Sequence, residues 1–152
     1  MTDPFAFETV TAKFALPLLH TGQAGKEAFV NEAFSRTDAL LHCAIEGERD
    51  EPAEETADGD VWLVGENPTG EWTGHPASLA CRQNSGWLFL EPRDGLRVFD
   101  KASSQERLFF GIWRKASQFV EPLGGTTVDV QARAAITELM VALQAVGILP
   151  SA

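Results

Sequence analysis

Apolar side chains recur every three or four positions in residues 26–45, and this spacing predicts the first helix. Phe34, Leu41 and Ile45 fall on one face of such a helix. Gly47 follows directly and suits the left-handed position that often ends a helix. We therefore expect an amphipathic helix near the start of the folded region, with these three side chains on its apolar face.

Residues 126–147 predict a second helix, whose surface is unusually apolar. Ile136, Leu139, Leu143 and Val146 follow one another in alternating three- and four-residue steps. With the neighbouring apolar positions they form an arc roughly 160° wide. Such a helix packs either on its own domain or against other copies of the chain, and the heptad rhythm favours a homo-oligomer.

Between the two helices, short apolar runs separated by turn residues predict β-structure over residues 60–113. Short strands at this regular spacing are typical of an antiparallel meander or a small barrel-like sheet. The predicted strands are 61–64, 79–83, 87–90, 96–99 and 108–113. The expected fold class is therefore α+β, with an N-terminal helix, an antiparallel sheet and a C-terminal helix in an oligomer interface.

The chain of 152 residues has room for one domain with flanking segments. We divide it into an N-terminal arm (1–15), a helix plus antiparallel β domain (16–116) and a C-terminal helix for oligomerisation (117–152). The first four residues are neither basic nor strongly apolar, so no signal peptide is expected. The apolar runs are also too short to predict a membrane span.

Acidic side chains are concentrated in one segment, residues 46–60, which we call the acidic segment. It holds eight carboxylates against Arg49, so most of the formal net charge of −10 lies there. Low apolar content and Pro52 predict an exposed loop that contributes little to stability. Asp58 and Asp60 lack the ligand frame of a calcium loop. The negative charge also argues against nucleic acid as a partner.

The residues that commonly carry catalysis do not form a recognisable motif. Cys43 and Cys81 are predicted to be free, buried thiols, because they are far apart and no secretory context favours a disulfide. The three histidines lack metal-ligand spacing, so neither a metal nor a cofactor is expected. Glu91, Asp94 and Asp100 are close together in sequence and are candidates for the two catalytic carboxylates of a glycosidase. Acids beside turns are usually solvated, however. We therefore do not expect an enzyme.

One tryptophan lies in a Gly- and Pro-rich loop that offers little core to pack on. Trp72 is interpreted either as a packed side chain, which is usual for aromatics, or as an exposed ring that stacks on a sugar or a partner protein. In the second interpretation, Glu71, Thr73 and His75 supply polar contacts to the sugar hydroxyls. These four residues are the predicted ligand-binding site.

Several short motifs resemble, in order and spacing, a domain family of tail-fibre and head-spike proteins from alphaproteobacterial phages, prophages and gene transfer agents. The matching pieces are Gln23-Ala24-x-Lys26, Asn31-Glu32-Ala33, Asp38-Ala39-Leu40, Gly59-Asp60, Val64-Gly65, Thr69-Gly70-x-Trp72-x-Gly74, Gly86-Trp87-x-Phe89, Pro92-Arg93-x-Gly95 and Arg97-Val98. The resemblance covers roughly residues 16–113. This chain departs from it in the longer acidic segment and in a more apolar strand at residues 108–112. The family supplies no catalytic residues to carry over.

The resemblance implies a virion component: a spike or tail-fibre subunit, or its adaptor, that contributes to attachment to a host surface polysaccharide. The implied partners are other copies of the chain, capsid or tail proteins and the polysaccharide, with no nucleic acid and no membrane insertion. Its expected location is the particle, assembled in the cytoplasm. Two alternatives stay open, namely a polysaccharide-degrading enzyme of such a particle and a soluble oligomeric binding module.

Overall fold

Two helices and eight strands make up the part of the chain that the computed structural model describes, which is residue 22 and residues 24–83, 86–117 and 129–150. The helices are α1 (Lys26–Leu40) and α2 (Val130–Ala145). The strands are β1 (Ala44–Ile45), β2 (Glu48–Arg49), β3 (Val61–Val64), β4 (Leu79–Gln83), β5 (Gly86–Leu90), β6 (Arg97–Asp100), β7 (Gln105–Phe110) and β8 (Ile112–Arg114). The predicted α+β class with a C-terminal helix is confirmed.

The strands form two four-stranded sheets rather than one. The first sheet has the order β1-β6-β7-β8 and the second has the order β2-β3-β4-β5. The antiparallel meander is correct for β3-β4-β5 and for β6-β7-β8. Each sheet also has a two-residue parallel strand at one edge, β1 beside β6 and β2 beside β3. Both sheets are therefore mixed. They do not form a closed barrel, which was one of the two sheet arrangements predicted from the sequence.

The main core lies between the two sheets. Ile45 and Val98 come from the first sheet, and Leu63, Leu79 and Leu90 come from the second, and all five are almost completely buried. In β3 and β4, alternate side chains point into this core, as the period of two in a strand requires. Burial of these aliphatic side chains therefore holds the two sheets together.

Helix α1 is shorter than predicted, and its supposed apolar face is not the buried one. The helix ends at Leu40, because Leu41 is extended and His42 has a φ of 50°. Ile45 consequently belongs to β1 and is buried there, whereas Phe34 and Leu41 are 68% and 64% exposed. The three-residue and four-residue spacing thus linked residues that belong to two different elements.

Helix α2 begins and ends close to the predicted bounds. Asp129 caps it, since its carboxylate accepts a hydrogen bond from the Ala132 N–H. Gly147 ends the helix with a φ of 71°. A Cβ there would meet the Phe99 ring at 3.1 Å, and the Gly147 carbonyl accepts a hydrogen bond from the Glu106 N–H at 2.6 Å. Glycine therefore anchors the end of α2 to the first sheet.

The acidic segment is not uniformly a loose loop, which corrects the sequence interpretation. Its first residues include β2, and three of its carboxylates bind residues that are distant in sequence. Glu46 pairs with Lys101, and Glu48 pairs with Arg107. Asp50 binds the loop that carries Trp72. These basic and amide partners are distant in sequence, so the charge run alone did not reveal them.

The predicted N-terminal arm lies outside the described residues. Within the described part of the chain, neither helix has the length and apolar character needed to cross a membrane.

Candidate functional site

A loop held by Asp50 covers the outer face of the second sheet, on the side away from the main core. The Asp50 carbonyl accepts a hydrogen bond from the Thr69 N–H at 2.7 Å, and its carboxylate accepts one from the Asn67 N–H at 3.1 Å. A short 3-10 turn, Gly70–Trp72, follows directly. Asp50 therefore fixes the start of the loop and brings the Trp72 indole onto the sheet.

Trp72 is completely buried, so the interpretation of this residue as an exposed stacking ring is wrong. Its indole packs with Val64 and Ala80 in a second, smaller core. Ala80 is paired with Trp62 on one side and with Phe89 on the other. A small residue between two aromatic neighbours leaves a space that a large side chain can fill. The alternative interpretation, structural packing, is the correct one for Trp72.

Half-buried aromatic side chains pack against the cluster that contains Trp72. Trp87 is half-buried and meets the Trp72 ring edge-to-face, with 5.1 Å between the ring centroids. The Trp87 indole N–H donates a hydrogen bond to the Glu71 carboxylate at 3.1 Å, and the Arg82 guanidinium lies 5.2 Å from the ring centroid. Trp87 is thus fixed in position and has a carboxylate and a guanidinium beside it.

A second aromatic pair lies next to Trp87 on β5. The His75 imidazole stacks on the Phe89 ring at 3.7 Å, with only 3° between the planes. Phe89 covers one imidazole face, and the His75 side chain remains partly exposed. Thr73 is exposed nearby, and its hydroxyl donates to the Gly70 carbonyl at 2.8 Å. We call Glu71, His75, Arg82, Trp87 and Phe89 the aromatic platform.

Of the four predicted site residues, three are accessible at the surface and the fourth is buried. Glu71, Thr73 and His75 are accessible, whereas Trp72 is covered. Sequence reasoning missed Trp87, Phe89 and Arg82. The two-residue spacing of Trp87 and Phe89 along β5 places them on one face, and this was the available signal. Which face they share became clear only from the position of the Trp72 loop.

A cleft of about 700 Å³ lies where the two sheets meet. Arg107 is buried at this junction and forms ion pairs with Asp100 at 2.6 Å and with Glu48 at 2.5 Å. Arg49 and Lys115 also line the cleft. Because both neighbouring carboxylates already bind Arg107, its guanidinium holds the two sheets together and is not free for a ligand.

The ionisation of these groups agrees with a structural ion-pair network. Burial disfavours the charged form of Asp100, but hydrogen bonds from Arg107 and Ser103 outweigh it, so the pKa of Asp100 is lowered. Burial likewise opposes the charge of Arg107, yet Glu48 and Asp100 raise its pKa. A glycosidase acid requires a carboxyl whose pKa is raised. Asp100 shows the opposite shift, so at neutral pH it is the ionised partner of Arg107.

The three carboxylates considered as a glycosidase pair do not form one shared site. Asp100 is buried against Arg107, whereas Asp94 accepts a hydrogen bond from the Gly111 N–H at 2.7 Å in the hairpin between β7 and β8. Glu91 is exposed after the end of β5. Asp94 therefore stabilises a turn and Asp100 a sheet junction.

Both cysteines are free and buried, as predicted. Burial, together with the neighbouring Cys81, raises the pKa of Cys43 to about 11, and burial raises the pKa of Cys81. Thiols with such raised pKa values are poor nucleophiles at neutral pH. Among the described residues, no group of three or more His, Cys, Asp or Glu side chains is arranged to hold a metal ion.

The predicted interface residues of α2 all lie in the described part of the chain. Ile136, Leu139 and Val146 are exposed in the single chain, and Leu143 is half-buried. No residue of the helix is buried. The helix is thus not a core element of its own domain, and much of its apolar surface is exposed in the single chain.

The fold and the site define an α+β domain with two mixed sheets and an aromatic surface on the outer face of one of them. Residues 30–114 match the model of a family described as proteins of unknown function, DUF2793. The chain belongs to this family, and the match includes both sheets and the whole aromatic platform. No curated protein matches the chain.

Proposed function

We propose that this chain is a non-catalytic subunit of a phage-like particle and that it contributes to attachment by binding a host surface polysaccharide. The observation that carries the proposed binding is the aromatic platform. Sugar recognition combines aromatic surfaces, which contact the apolar faces of the ring, with polar groups that bind the hydroxyls. The particle context comes from the resemblance of residues 16–113 to spike and fibre domains.

The platform meets both requirements for sugar binding. The accessible parts of His75 and Trp87 supply ring surfaces that their packing neighbours hold in place. Glu71 supplies an acceptor at the indole N–H of Trp87, and Arg82 supplies donors above part of the same ring. Fixed ring surfaces lose little entropy on binding, which favours even a shallow site.

The test compares binding by the wild type with binding by variants that keep the buried Trp72 packing. Purified protein is mixed with encapsulated alphaproteobacterial cells and, separately, with extracted capsule, and both bound protein and polymer length are measured. We expect Glu71→Ala, His75→Ala and Arg82→Ala each to weaken binding about three- to tenfold, as expected for lost hydrogen bonds and ring contact. Polymer length should stay constant.

Glu54→Ala is the matched control, because it removes the same charge as Glu71→Ala from an exposed position in the acidic segment. It should bind like the wild type. Equal losses in Glu54→Ala and Glu71→Ala would indicate a general charge effect and contradict the assigned surface. A shortened polymer would show an enzyme, and a wild type that binds neither cells nor capsule would favour the adaptor role.

A further inference from the structure

We propose that α2 is a self-association helix, and that its apolar stripe of Ile136, Leu139, Leu143 and Val146 is covered by the same helix of other copies of this chain. This inference is independent of the proposed polysaccharide binding. The first observation is that none of the sixteen residues of α2 is buried in the single chain, although most of them are apolar. Isolated helices of this length are marginal in water and normally need a packing partner.

The spacing of the stripe indicates what kind of partner covers it. The steps of three, four and three place Ile136 and Leu143 at one core position of a heptad and Leu139 and Val146 at the other. A heptad seam is complementary to another helix with the same period. In α1 the corresponding spacing is broken, because that helix ends at Leu40 before the repeat could continue. A second copy of α2 supplies the matching period.

The charge on α2 also favours a copy of itself. Over Val130–Ala145 the charged side chains are Arg133 and Glu138, and neither occupies a core position of the heptad. Ala135 and Ala142 flank the stripe, and small side chains there allow neighbouring helices to approach closely. Identical helices therefore meet without placing like charges in the seam, even though the whole chain carries a formal charge of −10.

The attachment of α2 to the body leaves Ile136, Leu139 and Val146 exposed, while Leu143 is half-buried. The helix is joined to the first sheet beyond its last turn, where the buried Gly147 contacts Phe99 and binds the Glu106 N–H. Most of its length, including Leu139 in its middle, is exposed. Association through α2 would therefore add a shared helical core to the molecule without disturbing the main core between the sheets.

The test uses two substitutions at equally exposed positions on opposite sides of the helix. Leu139 and Val141 are both 59% exposed, but Leu139 lies in the stripe and Val141 lies on the far side of the heptad. The mass of the full chain is measured by light scattering on a size-exclusion column. We expect the wild type at a multiple of 16.5 kDa and Leu139→Asp at 16.5 kDa. Val141→Asp should keep the wild-type mass.

Circular dichroism of each variant shows whether the two sheets stay folded. A dissociation of the oligomer that is caused by misfolding is therefore recognised. Leu139→Ala, which lowers the apolar area without adding a charge, should weaken association at least tenfold while the sheets stay intact. A monomeric wild type at 100 μM would overturn the proposal, because the stripe would then have another occupant. Equal dissociation of Leu139→Asp and Val141→Asp would also overturn it, because no particular face would be responsible.

Discussion

Replacement of Trp72 by alanine tests whether this residue is structural, as its burial indicates, or a ligand contact. The indole is completely buried with Val64 and Ala80, and it meets Trp87 edge-to-face. A buried aromatic ring removes about 150–250 Å² from water, which corresponds to roughly 4–6 kcal/mol at 25 cal/mol per Å². Measured costs of such truncations are about 3–5 kcal/mol. We therefore expect Trp72→Ala to lower the free energy of unfolding by about 4 kcal/mol.

A loss of this size is a large fraction of the total stability of a small domain, which is typically about 5–15 kcal/mol. Trp72→Phe is therefore the second variant. It keeps a buried ring, and the Trp72 indole N–H has no hydrogen-bond partner among the described residues, so no hydrogen bond is lost. We expect Trp72→Phe to cost less than half as much as Trp72→Ala.

Urea unfolding followed by circular dichroism gives the free energy of unfolding of both variants. The wild type provides the reference for how steeply this free energy falls with urea concentration. Binding to extracted capsule is measured on Trp72→Phe, which should stay folded. The reasoning is refuted if Trp72→Ala costs less than about 1 kcal/mol, because a fully buried indole cannot be that dispensable. It is also refuted if Trp72→Phe keeps its stability but loses all binding, since the ring would then contact the ligand.

Two further predictions concern the charged residues. The lowered pKa of Asp100 means that its stabilising effect is present above the pKa of the unfolded state, near 4, and is lost as pH falls through the lower folded-state pKa. Asp100→Asn should cost about 3 kcal/mol at pH 7, because it leaves Arg107 partly unpaired, and should show a smaller loss of stability between pH 5 and pH 2 than the wild type. An unchanged pH profile in urea titrations would contradict this. Replacement of residues 53–57 by a short glycine linker should shift the melting temperature by only a few degrees, whereas Asp50→Ala should lower it by about 5 °C or more through loss of the Trp72 loop. Equal shifts in calorimetry would show that the whole segment acts as one unit.

Local sequence patterns predicted the longer elements well. Strands β3 to β6 and helix α2 follow runs of apolar residues bounded by nearby turn signals. The predicted strand 108–113 was wrong as a single element, because Gly111, with a φ of 69°, separates the end of β7 from β8. Strands β1 and β2 contain two residues each, which is too short for any periodicity. Their pairing depends on β6 and β3, which come later in the chain, so no local pattern could reveal that the sheets are mixed.

The candidate site could be predicted only in part, for a similar reason. The composition of the Trp72 loop suggested exposure, because glycine, proline and threonine are usual in surface loops. Trp72 is buried because the small side chain of Ala80, on β4, leaves the space that the indole fills. The partners of the acidic segment are equally distant, since Glu48 and Arg107 are separated by 59 positions. Contacts of this kind depend on topology, and composition carries no information about them.

The short span Ala44–Arg49 has a consequence for how the domain comes apart. Its first two residues belong to one sheet, its last two belong to the other, and Gly47 lies between them. The chain passes from one sheet to the other within these six residues. If one sheet opened while the other stayed closed, the short edge strand β1 or β2 would lose its pairing. We therefore expect the two sheets to open as one cooperative unit, and their slowest-exchanging amide protons should report a single, shared opening event.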